Sequence, residues 1–356
     1  MPAYIPRAIK APSQIFLAFP PASLLDPTKK HNHRNTMSYV PAPGYMPAFN
    51  PVLPYNQPVP GGLRPGMSIY VQGKVPHHTK RFRVNFACAP HEGADIALHF
   101  NPRFDGKDKV VLNTFHGGKW GKEEHQSMPL HKDQHFEIVF IVNNSGYQIL
   151  VNRNPFCNYN HRIPPERVQV VSADGDLELQ SVTVLGGGMM GGGGMPHQPM
   201  AIPGMAPGYP PSNLPMMSNP ASYHPQVPYV GNLPGGLGPK KTIVVRGFIP
   251  QDAKRFRINF KAGQEIALHI NPRLDERVVV RNSFLGGRWG QEEREISVNP
   301  FQRGQYFDLS IRCGNQQFKI FIDGQPLFNY KHRFHNFQQI NTLEIDGDVM
   351  LSYVQS

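Results

Sequence analysis

His99, Asn101 and Arg103 stand two residues apart in Ala97-Leu98-His99-Phe100-Asn101-Pro102-Arg103. Side chains alternate faces along an extended strand, so these three share one face and Leu98 and Phe100 share the other. The row joins a group that only donates hydrogen bonds, an amide that donates and accepts, and an imidazole that does both when neutral. That mixture suits a ligand rich in hydroxyls. Val110-Val111-Leu112-Asn113 follows, then a Gly-Gly turn, then Trp120-Gly121-Lys122-Glu123-Glu124-His125. A flat indole face can cover the apolar side of a pyranose while polar neighbours hold its hydroxyls. The arrangement recurs as His269, Asn271 and Arg273, then Asn282, then Trp289, Glu292 and Arg294. The chain's two tryptophans fall one in each copy.

Each element has a plainer explanation. A polar row on a strand is ordinarily a solvated face, and a lone Trp ordinarily belongs to a core. The same combination twice, in the same order, favours a binding site. Other chemistries fit less well. A glycosidase needs two carboxylates flanking the scissile bond, one with a raised pKa. Glu292 adjoins Glu293, but neighbours on a strand face opposite ways, and arginines beside Glu292 favour its ionised form. A calcium lectin needs clustered acidic oxygens, and Asp174-Gly175-Asp176 and Asp346-Gly347-Asp348 read as turns between strands. A zinc site at His99 or His269 lacks a second His or Cys at ligand spacing. No catalytic residue, metal or cofactor is therefore expected. His161 and His332 are expected to be structural. Arg83 and Asn85, with Arg257 and Asn259 in the second copy, alternate away from buried phenylalanines and are candidates to extend the groove.

The elements that must position these residues repeat too. Lys80-Arg81-Phe82-Arg83-Val84-Asn85-Phe86 returns as Lys254-Arg255-Phe256-Arg257-Ile258-Asn259-Phe260, and Asn158-Tyr159-Asn160-His161-Arg162 as Asn329-Tyr330-Lys331-His332-Arg333. Short alternating runs separated by turn residues, without a convincing amphipathic helix, predict an all-β chain of two antiparallel β-sandwich domains. Residues 55–185 and 227–356 hold the copies. Residues 1–54 are expected to be a disordered extension. Residues 186–226, rich in Gly, Pro and Met and without charge, are expected to be a flexible linker. As a random coil that linker would span about 35 Å and hold one domain at roughly millimolar concentration near the other.

The motifs H-x-N-P-R, V-x-N and W-G-x-E-x-R resemble the carbohydrate-recognition signature of the galectin family, and the resemblance covers both copies in a tandem-repeat arrangement. It implies jelly-roll sandwiches and metal-free binding of β-galactosides. By that resemblance His269, Asn271 and Arg273 hold the axial 4-hydroxyl of galactose. Asn282 and Glu292 hold the 6-hydroxyl region, Trp289 stacks on the ring, and Glu292 and Arg294 reach the adjoining sugar. His99, Asn101, Arg103, Asn113, Trp120 and Glu123 map likewise. His125 stands where the pattern has Arg, and it lacks the fixed planar fork and permanent charge.

Net charge is +11, which raises the possibility of a nucleic-acid ligand. Residues 1–54 carry five basic residues against one acid, residues 55–185 fourteen against twelve, and residues 227–356 seventeen against twelve. Neither copy is strongly one-signed. Lys80-Arg81-Phe82-Arg83 buries its phenylalanine, so nucleic acid is not expected as the main ligand. Cys88, Cys157 and Cys313 have Ala262, Phe328 and Val142 at the corresponding repeat positions, so free thiols are expected. No apolar run approaches a membrane span or a signal-peptide core. The expected protein is made in the cytosol, leaves by a route without a signal peptide, and acts at the cell surface. It is expected to be a monomer with two sites, meeting membranes only through glycans and crosslinking glycoproteins or glycolipids that carry lactose or N-acetyllactosamine units. The alternative is an intracellular protein-interaction scaffold with secondary sugar binding.

Overall fold

Along Phe82–Ala87, Phe82, Val84 and Phe86 are buried while Arg83 is exposed. This is the period-two pattern that places one face of a strand on a core. The computed structural model describes residues 45–186, 221–296 and 299–356. Its regular elements are strands, apart from two single 3₁₀ turns, Pro165–Arg167 and Phe337–Gln339. Among the described residues no helix is long and apolar enough to cross a membrane.

Each half is a sandwich of two antiparallel sheets. In the first, one sheet runs Tyr55–Pro58, Val170–Gly175, Phe82–Ala87, Ile96–Arg103, Lys109–His116 and Lys119–Trp120, with Glu124–Ser127 also paired to Lys109–His116. This sheet carries the polar row and is here termed the front sheet. The back sheet runs Met46–Phe49, Glu178–Leu185, Ser68–Lys74, His135–Val142, Gly146–Val151 and Asn154–Asn160. The second half repeats the plan, its front sheet centred on Phe256–Ala262, Glu265–Arg273 and Val278–Leu285 and its back sheet on Thr242–Phe248 and Tyr306–Cys313. Separate cores fill the two sandwiches, around Phe82, Phe86, Phe100 and Phe140 in one and Phe256, Phe260, Phe307 and Phe318 in the other. The repeated Gly-Gly-Leu has a steric cause. Gly62 has φ +76°, and a Cβ there would lie 2.0 Å from the Glu166 carbonyl oxygen; Gly236 meets Gln338 in the same way. All three cysteines are free thiols.

Two boundaries differ from the sequence expectation. Tyr45 is buried and Met46–Phe49 pairs with Glu178–Leu185, so residues 45–54 belong to the first sandwich rather than to a disordered extension. Ser222–Tyr223 pairs with Met350–Gln355, so the end of the expected linker belongs to the second sandwich. Both are edge strands of four residues or fewer, too short to show a period. The rest of the expected extension (1–44) and most of the linker (187–220) lie outside the described residues.

The halves are not independent beads on a tether. Their back sheets face each other across an apolar layer of Tyr45, Tyr70, Val139, Leu150 and Leu185 from the first half and Val244 and Tyr353 from the second. At its centre Arg246, fully buried, donates from Nη2 to Gln72 Oε1 (2.8 Å) and to Ser181 Oγ (3.2 Å), and lies over the Tyr70 ring. Its Nε stands 3.2 Å from Asp308 Oδ2, which also accepts from the Tyr45 hydroxyl. Gln72 donates to Glu137 Oε2 at 2.6 Å. Gln72 and Arg246 hold equivalent repeat positions, as do Glu137 and Asp308. Equivalent positions of the two halves therefore meet at the seam with different side chains. Burial pushes Glu137 and Asp308 above the usual carboxylate range, and Asp323 up to about 6.

Candidate carbohydrate-binding sites

The Ile96–Arg103 strand brings His99, Asn101 and Arg103 to the outer face of the front sheet, with Leu98 and Phe100 in the core. A register irregularity against Lys109–His116 lies between Ile96 and His99, and its counterpart lies between Ile266 and His269. Such a bulge re-aims the side chains beyond it. A cavity of about 490 Å³ lies over the row. His99, Asn101, Arg103, Asn113, Trp120 and Glu123 all line it, together with Arg81, Arg83 and Asp174.

The hydrogen bonds fix what each group can offer. Asn101 donates to the Phe82 carbonyl at 2.5 Å and accepts from Arg103 Nε at 2.7 Å, so it serves to aim the guanidinium. Arg103 Nη2 reaches Glu123 Oε1 at 3.2 Å. His99 Nδ1 lies 2.6 Å from Asn85 Oδ1. An amide oxygen can only accept, so Nδ1 carries the proton and Nε2 is left as a lone-pair acceptor. Burial, then the Arg103 charge, lowers the His99 pKa to about 4, so the ring is neutral near pH 7. A hydroxyl beside this row could donate to His99 Nε2 and accept from Arg103.

Trp120 remains 51% exposed, its ring 4.9 Å from that of His99 and 5.2 Å from that of Phe115. Contacts on one side and an open face on the other make a platform rather than a core residue.

The second half reproduces this detail. His269 Nδ1 meets Asn259 Oδ1 at 2.6 Å, Asn271 donates to the Phe256 carbonyl at 2.6 Å, and Arg273 Nε donates to Asn271 at 2.8 Å. Burial, then Arg257 and Arg273, hold the His269 pKa near 4. Trp289 is 49% exposed and lies 4.9 Å from His269. Glu292 accepts from Arg294 Nε at 2.7 Å and from Arg273 Nη2 at 3.4 Å. Arg294, then Arg273, lower its pKa, which is the wrong direction for a general acid. Glu293 turns the other way, to Arg333.

The two sites differ where the sequence departs from its own repeat. His125 Nε2 stands 2.7 Å from Glu123 Oε2, occupying that carboxylate through one ring nitrogen. Arg294 instead bridges Glu292 and Glu276, at 3.3 Å from Glu276 Oε2. Glu276 also accepts from Arg273 Nη1 at 3.2 Å. Sequence reasoning did not identify Glu276, because the turn carrying it, Leu274-Asp275-Glu276-Arg277, is one residue shorter than its counterpart Phe104-Asp105-Gly106-Lys107-Asp108.

A second omission is Arg162, with Arg333. Arg333 Nη1 donates to Asn282 Oδ1 (3.0 Å) and the Gln291 carbonyl (2.8 Å), Nη2 donates to Glu293 (2.8 Å), and the guanidinium covers the Tyr330 ring. Arg162 binds Asn113, the Lys122 carbonyl and Glu124 in the same pattern. These arginines pin the loop bearing Trp and Glu to the Asn of V-x-N. Their signal in the sequence is the repeated Asn-Tyr-x-His-Arg, whose arginine follows the structural histidine. His161 and His332 each meet a backbone carbonyl, of Asn143 and Gly314.

The residues expected to extend the groove take two kinds of place. Arg83 lines the cavity but is paired with Asp174, and Arg257 with Asp346. Asn85 and Asn259 stand behind the histidines as their acceptors, and Asn259 is buried, so they orient the imidazoles instead of lining a groove. Among the described residues no group of three or more His, Cys, Asp or Glu is placed to hold a metal ion.

The sequence profile of the galactoside-binding lectins matches residues 54–184 and again 228–356. Galectin-4 of Homo sapiens is 53% identical over 330 residues, covering 90% of this chain and all of that protein. Galectin-8 of Rattus norvegicus is 35% identical over 86% of this chain and 96% of its own length. A 32 kDa beta-galactoside-binding lectin of Haemonchus contortus is 34% identical over the same shares. Two matched domains, each with the same row, Trp and carboxylate, place the chain in the galectin family: it is a tandem-repeat member of the galactoside-binding lectins, a family of lectins rather than enzymes.

Proposed function

We propose that each half binds one β-galactoside through its front sheet, without a metal, and that the chain joins two glycan-bearing partners. The observation that carries this is the hydrogen-bond inventory. Each site offers a neutral imidazole acceptor beside a guanidinium donor, next to an open indole face. A hydroxyl projecting from one face of a pyranose would meet both partners, and the ring's apolar face would cover the Trp. The axial 4-hydroxyl of galactose is the group assigned to this pair. The Glu123 and Glu292 clusters then face the adjoining glucose or N-acetylglucosamine. The name of the Haemonchus contortus relative agrees with this choice of sugar.

The ligands are accordingly glycoproteins and glycolipids bearing lactose or N-acetyllactosamine units, reached by a monomer with two sites. Retention on lactose agarose, with elution by lactose but not by sucrose, tests the sugar assignment. Protein that passes through unretained, with its fold intact by circular dichroism, would leave the scaffold reading in its place.

A further inference from the structure

The seam between the back sheets decides where the two sugar sites point. Packed in order, the molecule has four layers: front sheet of the first half, its back sheet, back sheet of the second half, and front sheet of the second half. The polar rows lie on the outer faces of the two front sheets, so the sites look away from each other. Packed sheets stand roughly 10 Å apart, which puts the two front sheets about 30 Å apart. The seam is fastened at its centre by Arg246, which reaches Gln72 and Ser181 of the opposite half, and by Tyr45, which reaches Asp308.

We propose that this back-to-back docking makes the protein a spacer between facing surfaces. One molecule holds one glycan on each of two opposed membranes at a fixed separation, and does not clasp two glycans on the same flat membrane. The proposal rests on the sugar-binding reading above and adds its geometry. Two sites on a free tether would engage one surface together and gain residence time as glycan density rises. Two sites fixed on opposite faces cannot both reach a single plane.

The test uses the full chain on a supported bilayer carrying a lactosyl lipid at increasing density, beside the single-site variants Trp120→Ala and Trp289→Ala. Expected is a residence time within about twofold of the tighter single-site variant at every density. Lactosyl vesicles in suspension should meanwhile be clustered by the full chain, with a uniform gap between bilayers in cryo-electron micrographs. Arg246→Glu places a further carboxyl among Glu137, Asp308 and Asp323 and should open the seam. That variant, with both sites still titrating lactose, should lengthen its residence as density rises and leave irregular gaps. A wild-type residence time that climbs tenfold or more with density, or gaps that vary in width, would overturn the proposal. The wild-type arms decide it even if Arg246→Glu fails to fold. Absence of any lactose-reversible binding would instead remove the sugar reading on which it depends.

Discussion

Arg333→Lys isolates the contribution of a residue that touches no ligand in the proposed site. The guanidinium makes three hydrogen bonds, to Asn282 Oδ1, the Gln291 carbonyl and Glu293. A lysine keeps the charge and the stem but offers no planar fork, so it can hold one of these partners well. Bonds to charged groups contribute about 1.5–3 kcal/mol each when well buried. The Arg333 side chain is 26% exposed and Glu293 36%, so screening reduces this. A loss of about 1–2 kcal/mol in stability is expected, with the half still folded on its own core. Freed from Gln291, the loop carrying Glu292 must then be ordered by the sugar itself, and lactose affinity should fall roughly tenfold. Gly290→Ala approaches the same contact from the other side. Its Cβ would stand 2.7 Å from Arg333 Nη1 and 3.2 Å from Asn282 Oδ1. The two changes damage one contact, so together they should cost about 1 kcal/mol less than their sum. Calorimetric lactose titration of the four members of this cycle, each in a Trp120→Ala background to silence the first site, measures it directly. Undiminished affinity in Arg333→Lys, or strict additivity with Gly290→Ala, would refute the reasoning.

Other perturbations have equally definite outcomes. Trp289→Ala removes on the order of 100 Å² of apolar contact between ring and sugar, about 2.5 kcal/mol or roughly 70-fold in affinity; isothermal titration at the second site should show it while the melting curve stays put. Lactose binding should be flat from pH 8 to 5 and fall as pH drops through about 4, where His99 and His269 take up a proton at the Nε2 acceptor; a midpoint near the ordinary imidazole pKa would contradict the neutral-histidine assignment. Their depressed pKa also means that stability is fully present above the unfolded-state pKa and is lost as pH falls toward 4. At the seam the sign is opposite. Burial raises the Glu137, Asp308 and Asp323 pKa values above their unfolded values, so the stability these groups contribute is present at low pH and is lost as pH rises through the folded-state value, about 6 for Asp323; Asp323→Asn should remove its part of that slope from a series of melting temperatures, and an unchanged slope would contradict the assignment. His125→Arg should tighten lactose binding at the first site by a few-fold at most, because Arg103 still lacks the second carboxylate that Glu276 supplies to Arg273.

The front sheets were legible because their outer faces meet solvent. Alternation along Phe82–Ala87 and Ile96–Arg103 survives in the burial of individual residues, and it placed His99, Asn101 and Arg103 on one face without recourse to coordinates. Asn85 and Asn259 went astray because period two says which face a residue occupies but not what stands between it and the solvent. Each shares a face with the ligand row of the neighbouring strand and is then covered by the imidazole opposite it. Arg162 and Arg333 were missed because their partners lie about 40–50 residues away in sequence, and no local pattern records such a contact.

The back sheets defeat alternation for a different reason. Ser68–Lys74 is buried at every position except its last, and His135–Val142 is nearly so. A strand of this kind reads as continuous, with neither face marked as solvent, and in an isolated sandwich one of its faces would be wet. Glu137 in the first half and Arg246 in the second then look like ordinary exposed charges on a lectin's reverse side. They become intelligible only as equivalent positions of the two repeats, brought together with Gln72 opposite Arg246. The repeat that made the sugar sites recognisable therefore also built the contact that orients them. Because the patches are alike but not identical, a contact of the first half with another first half would bury Glu137 twice and provide no guanidinium. The unlike pairing supplies Arg246 to the seam's carboxyls, and the two halves of one chain meet that requirement without a partner molecule.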